Sequence, residues 1–286
     1  MRVLRDALKQ VLPPFLLRAY RRVRPKALTS GNQVLEWEYL DPGSPESDER
    51  GMGWDNPLVA EIYARKWPGF LEGIRRPAPV AVNHERVEPG EPCVDTHHHY
   101  MTLAYVAAFA SGGGGRLSVL DYGGALGQNL AALRELFPRL EVDYVCREMP
   151  SVCEQGGLLN PRARFLDVDS WTDGEFDLAI ASNSLQYAWD WRAQLQRICL
   201  AVRSTLWVTR LPVVTSVASF RQRQRPHSYG YRTRFFGWAL NEKEFLAAAQ
   251  SAGFALERSF LVGRDEPFVH GAPEQPRHRG YLFRRG

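Results

Sequence analysis

The sequence predicts an α/β fold: a doubly wound, mostly parallel seven-stranded sheet with an N-terminal helical extension. Three observations predict it. From Arg116 onward, short apolar runs alternate with segments of helical period, the pattern of an open parallel sheet covered on both faces. The turn after the first run is glycine-rich, Asp121-Tyr122-Gly123-Gly124-Ala125-Leu126-Gly127. Finally, 286 residues with 44% hydrophobic and 12% aromatic content suffice for one large domain with an appendage, or for two small domains.

At the N-terminus Leu4, Leu8, Val11 and Leu12 stand at helical spacing. Pro13-Pro14 interrupts them and Phe15 to Leu17 resume, which predicts two short helices. Residues 1 to 26 hold eight cations against Asp6, so this segment is +7 while the whole chain is only +4. That balance gives no reason to expect a nucleic-acid partner. A basic amphipathic piece can lie on an anionic membrane surface or pack on its own domain, and both readings stay open, so peripheral membrane contact through residues 1–26 is kept as an expectation. Residues 41 to 56 read as an exposed loop, Pro57 to Phe70 as a helix, and Thr96 to Ala110 as a helix opened by Asp95 or Thr96. Ser111 to Gly115 form a flexible joint. The division expected is basic helices and a helical cap over 1–110, then a sheet core over 116–286.

Within the core, strands are predicted at Arg116–Asp121, Glu141–Glu148, Ala163–Val168, Phe176–Ser182, Thr205–Arg210, Ala255–Val262 and Gly280–Phe283. Leu130, Leu133 and Phe137 share one helix face, as do Trp191, Leu195, Ile198 and Val202. Asn241 is placed to cap a helix with Glu244 three residues on, and Gly253 to end it. The stretch near 213–240 is left as an insertion above the sheet. Four cysteines without a CxxC pair, no secretory signal and no apolar run near the ~20 residues a membrane span needs together suggest a reduced, cytoplasmic compartment and no metal site.

Ligands of such sheets bind beyond the carboxyl ends of the central strands, so the glycine-rich turn is the first candidate site. Glycines allow a tight turn and a close approach, and the following helix offers unpaired amides. Glu148 ends the next strand, where a carboxylate can accept both hydroxyls of a ribose. The GxGxxG dinucleotide fingerprint does not fit, because Ala125 stands where its second glycine belongs. S-adenosylmethionine carries no pyrophosphate and suits this turn better.

Val119-Leu120-Asp121-Tyr122-Gly123-Gly124-Ala125-Leu126-Gly127 resembles the first motif of class I S-adenosylmethionine-dependent methyltransferases, with Ala125 replacing a glycine. CREMPSVCEQGG, FDLAIASNSLQYAWDW and LWVTRLP, with WEYLDPG and HHHYMTLAYVAAFA upstream, look like a bacterial methyltransferase subgroup often encoded among surface-polysaccharide and natural-product genes. The resemblance spans most of residues 35 to 285. It implies a Rossmann-like core, S-adenosylmethionine as cofactor, and a cofactor site built around Asp121, Gly123, Gly124 and Gly127, of which Asp121, Gly123 and Gly127 line the methionine half. Glu148 would hold the ribose, Asp167 (with Asp169 as rival) the adenine amino group, and Asn183 and Ser184 would face the sulfonium and the acceptor.

Methyl transfer is an in-line displacement, so holding the acceptor is the main task, and an alcohol acceptor gains from a general base. Candidates are His97, His98, His99 and His227, with His227 and His98 put first and Tyr187 and Tyr229 as orienting hydroxyls. Consecutive helical residues point about 100° apart, so the three histidines cannot ligate one metal and at most one faces a pocket. Between Phe220 and Trp238 arginines alternate with aromatic residues. This composition suits an acceptor with a negative group and a flat or sugar-like face, with Arg210, Tyr229, Tyr231 and Arg232 as contacts; a solvated basic loop is the rival. The expected activity is O-methylation of a small-molecule or saccharide hydroxyl, phosphate-bearing or lipid-linked. The alternatives are an NAD(P)-dependent oxidoreductase and a non-catalytic interaction protein.

Overall fold

The computed structural model describes residues 36–43, 53–79, 93–167, 169–173, 175–226, 230–231, 233–262 and 268–286. Two compact units divide the chain, Met1–Val34 and Leu35–Gly286. The expected basic helices of residues 1–26 lie outside the described residues, as do His227, Tyr229 and Arg232.

The second unit opens with a short strand, β1 (Trp37–Tyr39), and two helices, α1 (Pro57–Arg75) and α2 (Val94–Ser111). The Asn56 side chain accepts from the amide of Leu58, and Pro57 needs no partner in the first turn, so α1 starts where its sequence allows. Gly112, at φ +56°, ends α2 in the left-handed conformation. Then come β2 (Arg116–Tyr122), α3 (Gln128–Leu136), β3 (Glu141–Arg147), α4 (Pro150–Leu159), β4 (Arg164–Leu166) and β5 (Phe176–Ser182); the four strands and α3 stand where the sequence predicts them, whereas α4 is not among the predicted helices. They are followed by α5 (Trp191–Leu200), β6 (Val202–Val214), β7 (Phe220–Gln224), β8 (Phe235–Asn241), α6 (Glu242–Ser251), β9 (Phe254–Leu261) and β10 (Arg277–Arg285). Asn241 caps α6 by accepting from the Glu244 amide, and Gly253 follows at φ +85°.

The seven expected strands are present, and β4-β3-β2-β5-β6 are all parallel to their neighbours. The sheet itself differs from the expectation. It is mixed and ten-stranded: β10 and β9 join antiparallel on one side of β6, while β8, β7 and β1 continue from its carboxyl end. The stretch expected to be an insertion above the sheet supplies β7 and β8. Arg221 and Arg223 alternate with Phe220, Gln222 and Gln224, a period of two that belongs to a strand. Arg223 and Arg225 both donate to Glu38 of β1, at 2.7 and 2.9 Å, and the Arg221 guanidinium lies over the rings of Trp189 and Trp238. These arginines are therefore committed to the fold.

Each central strand is buried on both faces, which accounts for its nearly continuous apolar run. Leu117, Val119, Leu178, Ile180 and Trp207 meet α1, α2 and α3 on one side. Leu120, Ala179, Ala181, Leu206 and Val208 meet α5 and α6 on the other.

Candidate functional site

Strand order reverses at β2, which lies between β3 and β5, and the crevice outside the carboxyl ends there is where an open α/β sheet binds ligands. Three non-glycine residues with positive φ cluster along this edge: Ala125 (+49°) after β2, Asn183 (+55°) after β5, and Arg210 (+57°) in β6. Left-handed backbone costs an L-residue roughly 1–2 kcal/mol and collects at functional sites. Arg210 sits at a bulge, where the pairing of β6 with β10 shifts register between Arg279 and Tyr281. The Asn183 amide donates to the carbonyl of Thr209 at 3.0 Å, which joins two of these strained points.

Beneath the glycine-rich turn, Asp121 is fully buried on the face of β2 that meets α2 and α3. Its Oδ2 accepts from Asn129 Nδ2 at 2.9 Å and from the Tyr144 hydroxyl, while Oδ1 has no partner among the described residues. Burial pushes this carboxyl up to about 6, against the pull of the Tyr144 and Asn129 bonds, and the charge of Glu148 adds to the rise. Glu148 ties the turn to β3. One carboxylate oxygen accepts from the Ala125 amide at 2.9 Å and the other from the Met149 amide at 2.8 Å. Burial raises its carboxyl too, and the two amides and Arg147 pull it back.

The glycines of the turn are required by the protein's own neighbours. A β-carbon on Gly123 would fall 2.4 Å from the Ser184 β-carbon, one on Gly124 2.5 Å from the Asp121 carboxyl, and one on Gly127 2.6 Å from Asn160 Nδ2. The expectation that they clear space for a ligand needs this correction: their β-carbon directions point into protein. Gly123 lets the Asn183-Ser184 turn close on β2, where the Ser184 hydroxyl donates to the Tyr122 carbonyl at 2.6 Å.

Asp121, Gly123, Gly124, Gly127, Glu148, Asn183 and Ser184 are thus brought together. Asp167, exposed, follows β4 on the same side; the Glu148 amide donates to Leu166 beside it, and the Cys153 thiol feels the charges of both Glu148 and Asp167. Asp169 begins a 3-10 turn, Asp169–Asp173. Of the three adjacent histidines, His98 is exposed. The 100° step between helical residues turns His99 inward instead, where it stacks on Trp207 at 5.4 Å and reaches Asn129 Oδ1 at 3.4 Å. Tyr187 donates to Gln224 at 2.9 Å, and Tyr231 is buried among Trp54, Tyr63 and Phe235. Asn129, Tyr144 and Gln186 were not singled out from the sequence. Only the identity of Asp121 as a buried carboxylate hints that donors must surround it.

No family model and no curated protein matches the sequence. Solved structures do match. The CcbJ methyltransferase from Streptomyces caelestis superposes with a TM-score of 0.50 over 83% of this chain and 99% of its own, at 13% identity. The likeness is one of fold. Magnesium protoporphyrin IX methyltransferase from Synechocystis with bound S-adenosylhomocysteine gives 0.47 over 81% of this chain and 100% of its own, again at 13% identity. The 1,6-didemethyltoxoflavin-N1-methyltransferase of Burkholderia thailandensis, crystallised with that substrate and S-adenosylhomocysteine, gives 0.44 over 67% and 81%, at 16% identity.

Proposed function

We propose that this protein is an S-adenosylmethionine-dependent methyltransferase acting on a hydroxyl of a small molecule. One observation carries the reading: the Glu148 carboxylate is bonded directly to the Ala125 amide of the glycine-rich turn. A dinucleotide would bring its pyrophosphate to this turn, and a fixed carboxylate there repels it. The amides of Gly123 and Gly127 are also spent, on the carbonyls of Arg147 and Gly124. A nucleoside with a positively charged sulfonium and two ribose hydroxyls is the opposite case. Its hydroxyls donate, and each Glu148 oxygen keeps a lone pair beyond its amide bond.

The donor set fits such a ligand. Glu148 takes the ribose, the turn from Gly123 to Gly127 takes the methionine half, and the unsatisfied Asp121 Oδ1 offers charge complementarity from below. Asp167 is assigned to the adenine amino group, and Asn183 and Ser184 to the boundary between cofactor and acceptor. When bound, the cofactor supplies an electrophilic methyl group on sulfur. The chain's own share is to orient the acceptor oxygen in line with that methyl and to exclude water.

Calorimetry separates the readings. S-adenosylhomocysteine is expected to bind and NADH not to bind. Glu148→Ala is expected to weaken S-adenosylhomocysteine at least tenfold, through loss of charge-assisted ribose contacts worth about 1.5–3 kcal/mol. Gly123→Val is expected to abolish binding by driving Ser184 off the turn. NADH binding, or unchanged affinity in both variants, overturns the proposal. Cofactor binding with no methyl transfer to any acceptor would leave a non-catalytic protein of the same fold.

A further inference from the structure

The extension β8-β7-β1 carries a second set of unsatisfied groups. Strand alternation puts Phe220, Gln222 and Gln224 on one face of β7 and Arg221 and Arg223 on the other, with Arg225 following them onto Glu38. Gln222 lies opposite Gly237 of β8 and Gln224 opposite Phe235, so those four residues share a face. A β-carbon on Gly237 would stand 3.3 Å from the Tyr187 ring and from the Gln186 carbonyl. The 3-10 turn Leu185–Tyr187 therefore lies on this face, and it runs directly on from Asn183 and Ser184 at the glycine-rich turn. Trp54 completes the group. It stacks flat on Phe235 at 3.8 Å and meets Tyr187 edge-on at 5.0 Å.

Gln186 and Gln222 are 2% and 1% exposed. The Oε1 atoms of both, and Nε1 of Trp54, have no hydrogen-bond partner among the described residues. The amide of Gln186 is oriented by its own bond from Nε2 to Asn183 Oδ1 at 2.6 Å, so its oxygen is the atom left over. Buried groups of this kind are usually satisfied, and two acceptors and one indole donor left over on one face point to a ligand that supplies the complements. The complements are uncharged. Hydroxyl groups donate to the glutamines and accept from the indole, and the flat rings of Trp54, Phe235 and Tyr187 match a flat partner. Among the described residues, the arginines of β7 give an anionic acceptor little hold here, because they are on the opposite face and already paired.

We propose that this face receives the methyl acceptor, and that the acceptor is a flat, uncharged, hydroxyl-bearing molecule, a phenol rather than a phosphate-bearing sugar. The inference rests on the methyltransferase reading and names the substrate class of that site. 2,7-Dihydroxynaphthalene and 2-naphthyl phosphate, titrated by calorimetry into protein saturated with S-adenosylhomocysteine, test it. The diol is expected to bind at least tenfold more tightly than the phosphate. Gln222→Leu, which nearly keeps the volume and loses the polar atoms, and Trp54→Phe, which loses the indole N–H together with part of the ring, are each expected to weaken the diol at least fivefold and to leave S-adenosylhomocysteine within twofold. A melting temperature of Gln222→Leu at or above wild type, since it removes an unsatisfied buried oxygen, and a cooperative melt only a few degrees lower for Trp54→Phe, which loses part of its ring packing, exclude misfolding. Tighter binding of the phosphate, no binding of the diol, or wild-type diol affinity in both variants overturns the proposal. Failure of S-adenosylhomocysteine to bind would instead sink the methyltransferase reading, and the same titrations on the ligand-free protein would still decide what this face accepts.

Discussion

Replacing Asp121 with asparagine isolates the electrostatic cost of the site. In the folded chain the Asp121 carboxyl is held at about 6, against an ordinary value of 3.8. At ~1.4 kcal/mol per pH unit, that gap corresponds to about 3 kcal/mol. The sign follows from proton uptake. Between pH ~4 and ~6 the folded protein holds at Asp121 a proton that the unfolded chain has released, so the contribution of this group to stability is fully present below pH ~4 and is lost as pH rises through ~6. Asparagine cannot ionise, and its oxygen can still accept from Asn129 and Tyr144. Its amide nitrogen then occupies the unsatisfied Oδ1 position, at a cost of about 1–3 kcal/mol that does not vary with pH. Urea unfolding of both proteins at intervals from pH 4 to pH 7 measures the effect. Relative to wild type, Asp121→Asn is expected to gain up to about 3 kcal/mol across this window, while Glu148, whose carboxyl is raised in the same direction, contributes to the slope of both proteins. Identical slopes in the two proteins would refute the reasoning.

Ala125→Gly removes the left-handed penalty at φ +49°, and thermal melts are expected to show a stabilisation of a few tenths to about 1 kcal/mol once the extra unfolded-state freedom of glycine is subtracted. Glu38→Gln leaves the buried guanidinium of Arg223 without its carboxylate and is expected to cost about 2–3 kcal/mol in urea unfolding, whereas Arg225→Gln, at the more exposed partner, should cost under 1 kcal/mol. Asn241→Ala removes the cap of α6 and the bond from Asn241 Nδ2 to the Val217 carbonyl, and about 1–2 kcal/mol of stability should go with it.

The central strands were legible because burial on both faces leaves a simple trace: FDLAIAS reads as a strand from either side, and its predicted bounds agree with β5. The register of β2 on β3 then sets Asp121 beside Cys146 and brings Glu148 to the end of the neighbouring strand. Less could be read where residue type and environment disagree. In β7 three of the four buried positions are glutamines and an arginine, with Phe220 the fourth, so hydropathy conceals a strand that only the period of two betrays. β1 has three residues, too few for any periodicity. Among His97, His98 and His99 the sequence fixes relative directions but not the rotation of α2, which is set by packing against β2 and β6. The glycines were placed correctly and explained incompletely, because the direction of a missing β-carbon depends on which neighbouring turn folds over it.

Two raised carboxyls in one corner also carry a thermodynamic consequence for binding. Asp121 and Glu148 are costly as anions because burial removes water and each adds to the field of the turn. A cation placed above them recovers part of that cost, while a neutral sulfide in the same place does not. On the proposed function, S-adenosylmethionine should therefore favour the ionised form of Asp121 more strongly than S-adenosylhomocysteine does. Its affinity should rise as pH rises through about 6, and the affinity ratio of the two ligands should widen with it. The limit is tenfold per pH unit on the acid side for one linked carboxyl. Asp121→Asn should flatten this ratio without abolishing binding, because the ribose contact at Glu148 remains. A ratio constant from pH 5 to pH 7.5 in the wild type would mean that the sulfonium lies out of reach of these carboxylates, and the charge complementarity assigned to Asp121 would have to be withdrawn.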